Sequence, residues 1–223
     1  LAGGVGAREL LWHSQRFQAI ALVNAGAFAR GSAALETLHR RAEQEALCGH
    51  QVLRAYDRVV VLRGGPSSDS DALRAVLALD PADPPSIWSI KVRVLAALGA
   101  RREAQLALAM RPAADLARLP CDRDYLGTLG ALVHAAVGVG ALDYAAALYE
   151  LLAPYSQGFA AHIAFRCEGS VAQLRGMLAR MLGHVPSALE QLKIGIVLCE
   201  RAGLHTCAEE ARRELNSLRA ESR

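Results

Sequence analysis

A glycine-centred spacing that recurs along the chain restricts the fold more than any other feature. Gly140 is followed five residues on by Ala145 and nine on by Tyr149, Gly183 by Ala188 and Leu192, Gly99 by Ala104 and Leu108, and Gly26 by Gly31 and Leu35. A glycine closes a helix in left-handed geometry, a small residue lets two helices cross closely, and a bulky one fills the space a turn later. Gly99, Gly140 and Gly183 stand 41 and 43 residues apart, and the 73 residues from Gly26 to Gly99 leave room for one more turn, at Gly64 with Leu73 nine on. The period predicts helix pairs that cannot bury their own apolar faces and stack on their neighbours, an α-solenoid.

Residues 125–154 show the unit most clearly. Leu126, Leu129, Val133, Ala136 and Val137 recur at helical spacing, Gly138 and Gly140 break the helix, and Leu148, Tyr149 and Leu152 continue the stripe to Pro154. Asp143 is the expected start of the second helix, its short carboxylate accepting from free amides. This is an αα-hairpin.

Composition leads to the same class. With 52% hydrophobic residues, 21% charged and few β-branched runs in alternation, the 223-residue chain reads as ordered and all-α. The expectation is one helical-repeat domain over 1–223 with about eleven helices. The net charge is only +3, and Lys91 and Lys193 are the only lysines, so the excess arginine fits a codon bias better than a nucleic-acid surface. No apolar run reaches the ~20 residues of a membrane span, and five cysteines without a C-x-x-C pair argue against a disulfide framework, so a cytoplasmic setting is expected. Leu1 in place of methionine suggests a fragment of a larger protein.

In chain order, a glycine-rich lead-in precedes a first helix over about 7–25, and a second runs from Ser32 as N-cap to about Cys48. A third covers 51–62 and a short fourth 70–79. Residues 80–85, Asp-Pro-Ala-Asp-Pro-Pro, form a rigid connector, because three prolines remove donors and exclude helix. A fifth helix over 86–98 carries Trp88, placed to lock its hairpin onto the preceding one, and a sixth covers 101–110. Asp122 is the expected cap of the 125–154 hairpin. Ser170 opens the ninth helix, Pro186 sits in the first turn of the tenth, and Thr206 with Glu209 forms a capping box for the eleventh.

The segment Asp-Leu-Ala-Arg-Leu-Pro at 115–120, running into 125–155 with its Ala-Ala-Ala-Leu-Tyr-Glu-Leu-Leu-Ala-Pro-Tyr, carries a resemblance, supported by 26–35 and 86–104. It resembles the C-terminal helical-repeat region of large bacterial ATP-dependent LuxR-type transcriptional regulators and of related nucleotide cyclases fused to an NTPase. The resemblance implies a tetratricopeptide-like sensor or scaffold. These residues hold neither a P-loop nor a recognisable DNA-binding helix-turn-helix.

Catalytic constellations are absent from the sequence. The seven histidines are scattered, no serine sits in a G-x-S-x-G elbow, and Cys199, His205 and Cys207 lack the spacing and the fourth ligand of a zinc site. Neither enzyme activity, a metal nor a cofactor is expected. In tetratricopeptide-like repeats the concave groove is lined by fixed positions before each turn glycine, and the resemblance carries those offsets onto Arg16, Arg54, Arg58, Arg93 and Arg180, with His13, Asn24, His134 and Gln173. No acid falls among them. An electropositive groove of this kind would hold an acidic protein partner, a neighbouring domain or a small anionic ligand, with no direct contact to nucleic acid and none to membrane. The plainer reading is that these arginines are solvated. The preferred function is a non-catalytic protein-interaction module, and the alternative is a sensor whose groove encloses a small inducer. They differ in whether the groove is open or closed by the loop over 154–169.

Overall fold

The computed structural model describes residues 2–47, 50–61, 80, 82–162 and 167–221. Among these the regular secondary structure is helical except for one small hairpin. The helices are α1 (Ala2–Asn24), α2 (Phe28–Gln44), α3 (His50–Tyr56), α4 (Pro85–Ala97), α5 (Arg101–Ala109), α6 (Tyr125–Val139), α7 (Leu142–Leu151), α8 (Val171–Met181), α9 (Val185–Arg201) and α10 (His205–Glu221). Strands β1 (Phe159–Ala161) and β2 (Cys167–Ser170) pair antiparallel between α7 and α8. The expected turn at Gly64 and helix over 70–79 lie outside the described residues. No described helix is long and apolar enough to cross a membrane.

The turn glycines fold as their spacing implies. Gly26, Gly99, Gly140 and Gly183 have φ of 85°, 74°, 75° and 77°. After each, the next residue donates its amide to the carbonyl five positions back: Ala27 to Leu22, Ala100 to Leu95, Ala141 to Ala136 and His184 to Ala179. Gly203, which the spacing rule does not select, builds the same turn, with Leu204 donating to Cys199. Ala46 does so without a glycine, at φ 50°, while Leu47 donates to Ala42. The small residue five positions after each of the four spaced glycines is buried: Gly31, Ala104, Ala145 and Ala188. A Cβ on Gly31 would come within 2.5 Å of the Val23 side chain, so α1 and α2 cross in close contact.

Helix starts differ from the sequence expectation. α1 begins at Ala2, inside the glycine-rich lead-in, and α2 enters at Phe28 after Ala27 instead of being capped by Ser32. α7 begins after Ala141, which leaves exposed Asp143 in the first turn, where its charge favours the positive helix end without capping it. Asp124, not Asp122, precedes α6; Asp122 Oδ1 instead accepts the Asp124 amide at 2.9 Å. Thr206 is no capping-box residue: it lies within α10 and its hydroxyl reaches Asn24 Oδ1 at 3.2 Å, tying the last helix to the end of the first. Ser170 does cap α8, accepting the Gln173 amide at 3.1 Å. α3 ends early and continues as a π-helical turn over Asp57–Val61, and the linker after α5 holds a 3₁₀ turn over Ala113–Arg118.

Helix pairs pack α1 on α2, α4 on α6, α8 on α9 and α9 on α10, with α6 also touching α7, α8 and both strands. α6 is therefore surrounded, which explains why its buried residues run all round the helix rather than along one stripe. Polar side chains fasten successive elements. Fully buried Trp88 donates its indole N–H to Ala107 O at 3.2 Å within its own hairpin, and the Arg111 guanidinium lies over its ring. The Tyr144 hydroxyl, on α7, donates to Leu108 O and to Arg111 O at the end of α5. Tyr149 is only half-buried; its hydroxyl meets Ser187 Oγ at 3.1 Å and the Arg175 guanidinium covers its ring. The connector ahead of α4 is held by its own hydrogen bonds, Asp83 N to Asp80 O and Ala82 N to Asp80 Oδ1, and by the Lys91 ammonium at 2.7 Å from the Asp83 carboxylate.

Candidate site between α4, α6, α8 and α10

The site is built on the small residues of α6. Gly127 and Gly130 lie on the side of that helix covered by the β-hairpin. A Cβ on Gly127 would stand 2.6 Å from the His162 ring and 2.7 Å from the Ala161 carbonyl carbon; one on Gly130 would stand 2.7 Å from Ala160 Cβ and 2.9 Å from Glu168 Cβ. The glycines let backbone lie directly against helix. In the hairpin, Ala160 pairs with Gly169 and Ala161 with Cys167, which leaves Glu168 as the extra residue of a β-bulge. A bulge re-aims a side chain, and here it delivers a carboxylate into the interior: Glu168 is fully buried.

Three helices answer that carboxylate. The Tyr56 hydroxyl, from α3, donates a short hydrogen bond to Oε1. Arg93 on α4 places Nε 3.6 Å from Oε2, an ion pair longer than a hydrogen bond. His134 on α6 has Nε2 at 2.9 Å from the Glu168 backbone carbonyl, which requires that nitrogen to carry the proton and donate, and at 3.7 Å from Oε2. Burial pushes the His134 pKa below its ordinary value, the Arg93 charge pushes the same way, and Glu168 opposes both. The ring is neutral at physiological pH.

Beside this cluster lies a cavity of about 340 Å³ whose walls include Arg93, His134, Gln173, Met177, Glu210 and Arg213. Glu214, on α10 with Glu210 and Arg213, completes it. Gln173 is fully buried on α8, its Oε1 accepts from the Cys199 thiol at 3.6 Å, and its Nε2 has no hydrogen-bond partner. Arg93 Nε likewise makes no hydrogen bond. Other cavities are larger, but the one between α5 and α7 and the apolar one between α1 and α2 have no buried, unpartnered polar atom in their walls.

The structure thus brings three of the residues selected from the sequence, Arg93, His134 and Gln173, to one cavity. Arg180 stands next to it, its guanidinium bridging to Glu214 at 2.6 Å and to Glu221. The remaining ones lie elsewhere. Arg16 is fully buried and holds Asp57 through two hydrogen bonds, of 2.6 and 2.5 Å, while His39 Nε2 lies 2.9 Å from the same carboxylate. Arg54 pairs with Glu43 at the surface at 3.2 Å, and Arg58 sits in the π turn. His13 stacks among Trp12 and Phe17, and Asn24 meets Thr206.

No family model, curated protein or solved structure matches this chain.

The sequence pattern missed Glu168, Tyr56, Glu210 and Arg213. The groove offsets sample one helix of each pair, whereas Glu168 arrives from the hairpin and Glu210 and Arg213 from α10, and Tyr56 lies on α3 at a position the offsets skip. Cys199 and Cys207, weighed as metal ligands, direct their thiols at separate acceptors, Gln173 Oε1 and Cys167 O, while His205 is exposed. Among the described residues no group of three His, Cys, Asp or Glu side chains is placed to hold a metal ion.

Proposed function

We propose that this chain is a non-catalytic, ligand-sensing module: a tetratricopeptide-like α-solenoid whose inner face encloses a small polar molecule and reports its presence to the rest of a bacterial signalling or transcriptional regulator. The observation that carries this reading is the β-hairpin lodged against α6, with fully buried Glu168 tied to α3, α4 and α6 and a cavity left beside it. A protein partner using the same face would have to displace the hairpin and leave the Arg93 guanidinium without its counter-charge, a costly exchange. A small molecule needs only the cavity, whose volume falls in the range of ligand sites. The resemblance to LuxR-type regulators and cyclases fits a sensing role and supplies the expectation of an attached NTPase.

The test is a thermal-shift screen of the purified chain against small polar metabolites, repeated on Met177→Trp, which fills the cavity. Compounds that raise the unfolding temperature of the parent and not of the variant support the proposal. A screen in which no compound distinguishes the two sinks it.

A further inference from the structure

We infer that the ligand is a small zwitterion of the α-amino-acid type, its carboxylate held by Arg93 and Gln173 and its ammonium by Glu210. The inference rests on the sensing reading and adds the chemical class. Its first support is the charge balance of the walls. Arg93 and Arg213 face Glu210 and Glu214, with Glu168 behind Arg93 and Arg180 behind Glu214. Among the described residues both signs of charge therefore face this cavity, and burial pushes the His134 pKa down, against a further positive charge there. A simple anion entering here meets the carboxylates of Glu210 and Glu214, and a simple cation meets the guanidinium groups of Arg93 and Arg213. A molecule carrying both charges a few ångströms apart satisfies both sets.

The second support is the pair of unused donors. Gln173 takes a thiol hydrogen bond on Oε1, which fixes its amide with Nε2 free, and Arg93 Nε is buried without a hydrogen bond. Buried donors of this kind are costly unless something accepts from them. Two N–H donors in the wall of one cavity suit the two oxygens of a carboxylate, and Glu168 Oε2, at 3.6 Å, does not hydrogen-bond the Arg93 Nε. Glu210 lies on the opposite helix, α10, as the acceptor for an ammonium group. Met177 supplies apolar contact for an aliphatic side chain, and among the described residues no Trp, Tyr or Phe ring lines the cavity to stack on a sugar. The volume, about 340 Å³, suits a free amino acid better than a peptide.

Isothermal titration calorimetry on the full chain decides the matter with matched probes. The standard L-amino acids are titrated alongside the amine and the acid that lack one charge: for leucine, isopentylamine and 4-methylpentanoate; for serine, ethanolamine and 3-hydroxypropanoate. Glucose serves as the uncharged polar probe. The expected result is saturable binding of at least one amino acid, weakened roughly tenfold or more when either charged group is missing. Gln173→Leu, which keeps volume and removes the donor, and Arg93→Gln should weaken binding similarly while the circular dichroism stays unchanged. If either variant loses its helical signal, Glu210→Gln, on a half-buried position, provides the same comparison. Binding of an amine, acid or glucose that equals the amino acid's overturns the zwitterion and leaves the sensing reading standing. Failure of every amino acid overturns the zwitterion whatever the metabolite screen returns, and failure of that screen as well removes the sensing reading.

Discussion

Replacing Glu168 by alanine should be among the most damaging single changes in the described part of the chain. The side chain is fully buried on a bulge and joins α3, α4 and α6 through Tyr56, Arg93 and its own backbone contact with His134. Loss of the charge-assisted bond from Tyr56 costs about 1.5–3 kcal/mol. The Arg93 side chain, 14% exposed, then stands without its counter-charge. Breaking a buried pair in this way costs about 3–5 kcal/mol in total, a large share of the stability of a domain. Glu168→Gln keeps the shape and leaves a neutral acceptor for Tyr56, so the cost should fall to about 1–2 kcal/mol. Urea unfolding followed by far-UV circular dichroism measures both, and a cycle with Tyr56→Phe should return a coupling of about 1–2 kcal/mol between the two positions. If Glu168→Ala costs less than about 1 kcal/mol, the carboxylate is not fastening the hairpin and the account of the site fails.

Ala46 holds a left-handed turn conformation at φ 50° where the matching turns have glycine, so Ala46→Gly should stabilise the chain by about 1 kcal/mol, read as a higher urea midpoint. Ala145 and Ala188 are fully buried at helix crossings, and Leu at either should cost ~1–3 kcal/mol by overpacking; unchanged melting temperatures for both would mean that these contacts are loose. Acid should destabilise the protein through His134 and His162, whose pKa values burial holds below 6.5. The unfolded state then binds protons that the folded state refuses, so stability is fully present above about pH 6.5 and falls as pH drops below it; His134→Gln should flatten the urea midpoint between about pH 7.5 and pH 5.5.

The turns were legible because their chemistry is local. A left-handed residue at the end of a helix favours glycine, and Gly26, Gly99, Gly140 and Gly183 take that conformation. The caps were not legible, and the reason is the tightness of the same turns. Ala27, Ala100 and Ala141 each donate the closing hydrogen bond of one helix and stand as the first residue before the next. One residue does both jobs, which leaves no place for a Ser, Asp or Thr cap a few positions later. Ser32, Asp143 and Thr206 carry the right side chains in places where the helix has already begun. Ser170 caps because α8 follows a strand and not such a turn.

The hairpin could not be read from its own residues. Strands of three and four residues, Phe-Ala-Ala and Cys-Glu-Gly-Ser, are too short to show alternation, and Glu168 reads as an ordinary solvated acid until Tyr56, 112 positions earlier, is placed against it. The signal that was present sits in α6. Each glycine inside a helix costs about 1 kcal/mol relative to alanine, and Gly127 and Gly130 fall three apart on one face of a helix whose other buried residues are mostly apolar. Two such residues three apart are hard to justify by helix packing alone, since alanine would also let a helix approach. They are accounted for by backbone lying against the helix, and the shortest contacts of both would-be Cβ atoms are to the hairpin. That same hairpin supplies the acid that the groove offsets could not find. The arginine-rich face counted on one helix of each pair therefore also carries acids, Glu168 from the hairpin and Glu210 and Glu214 from α10.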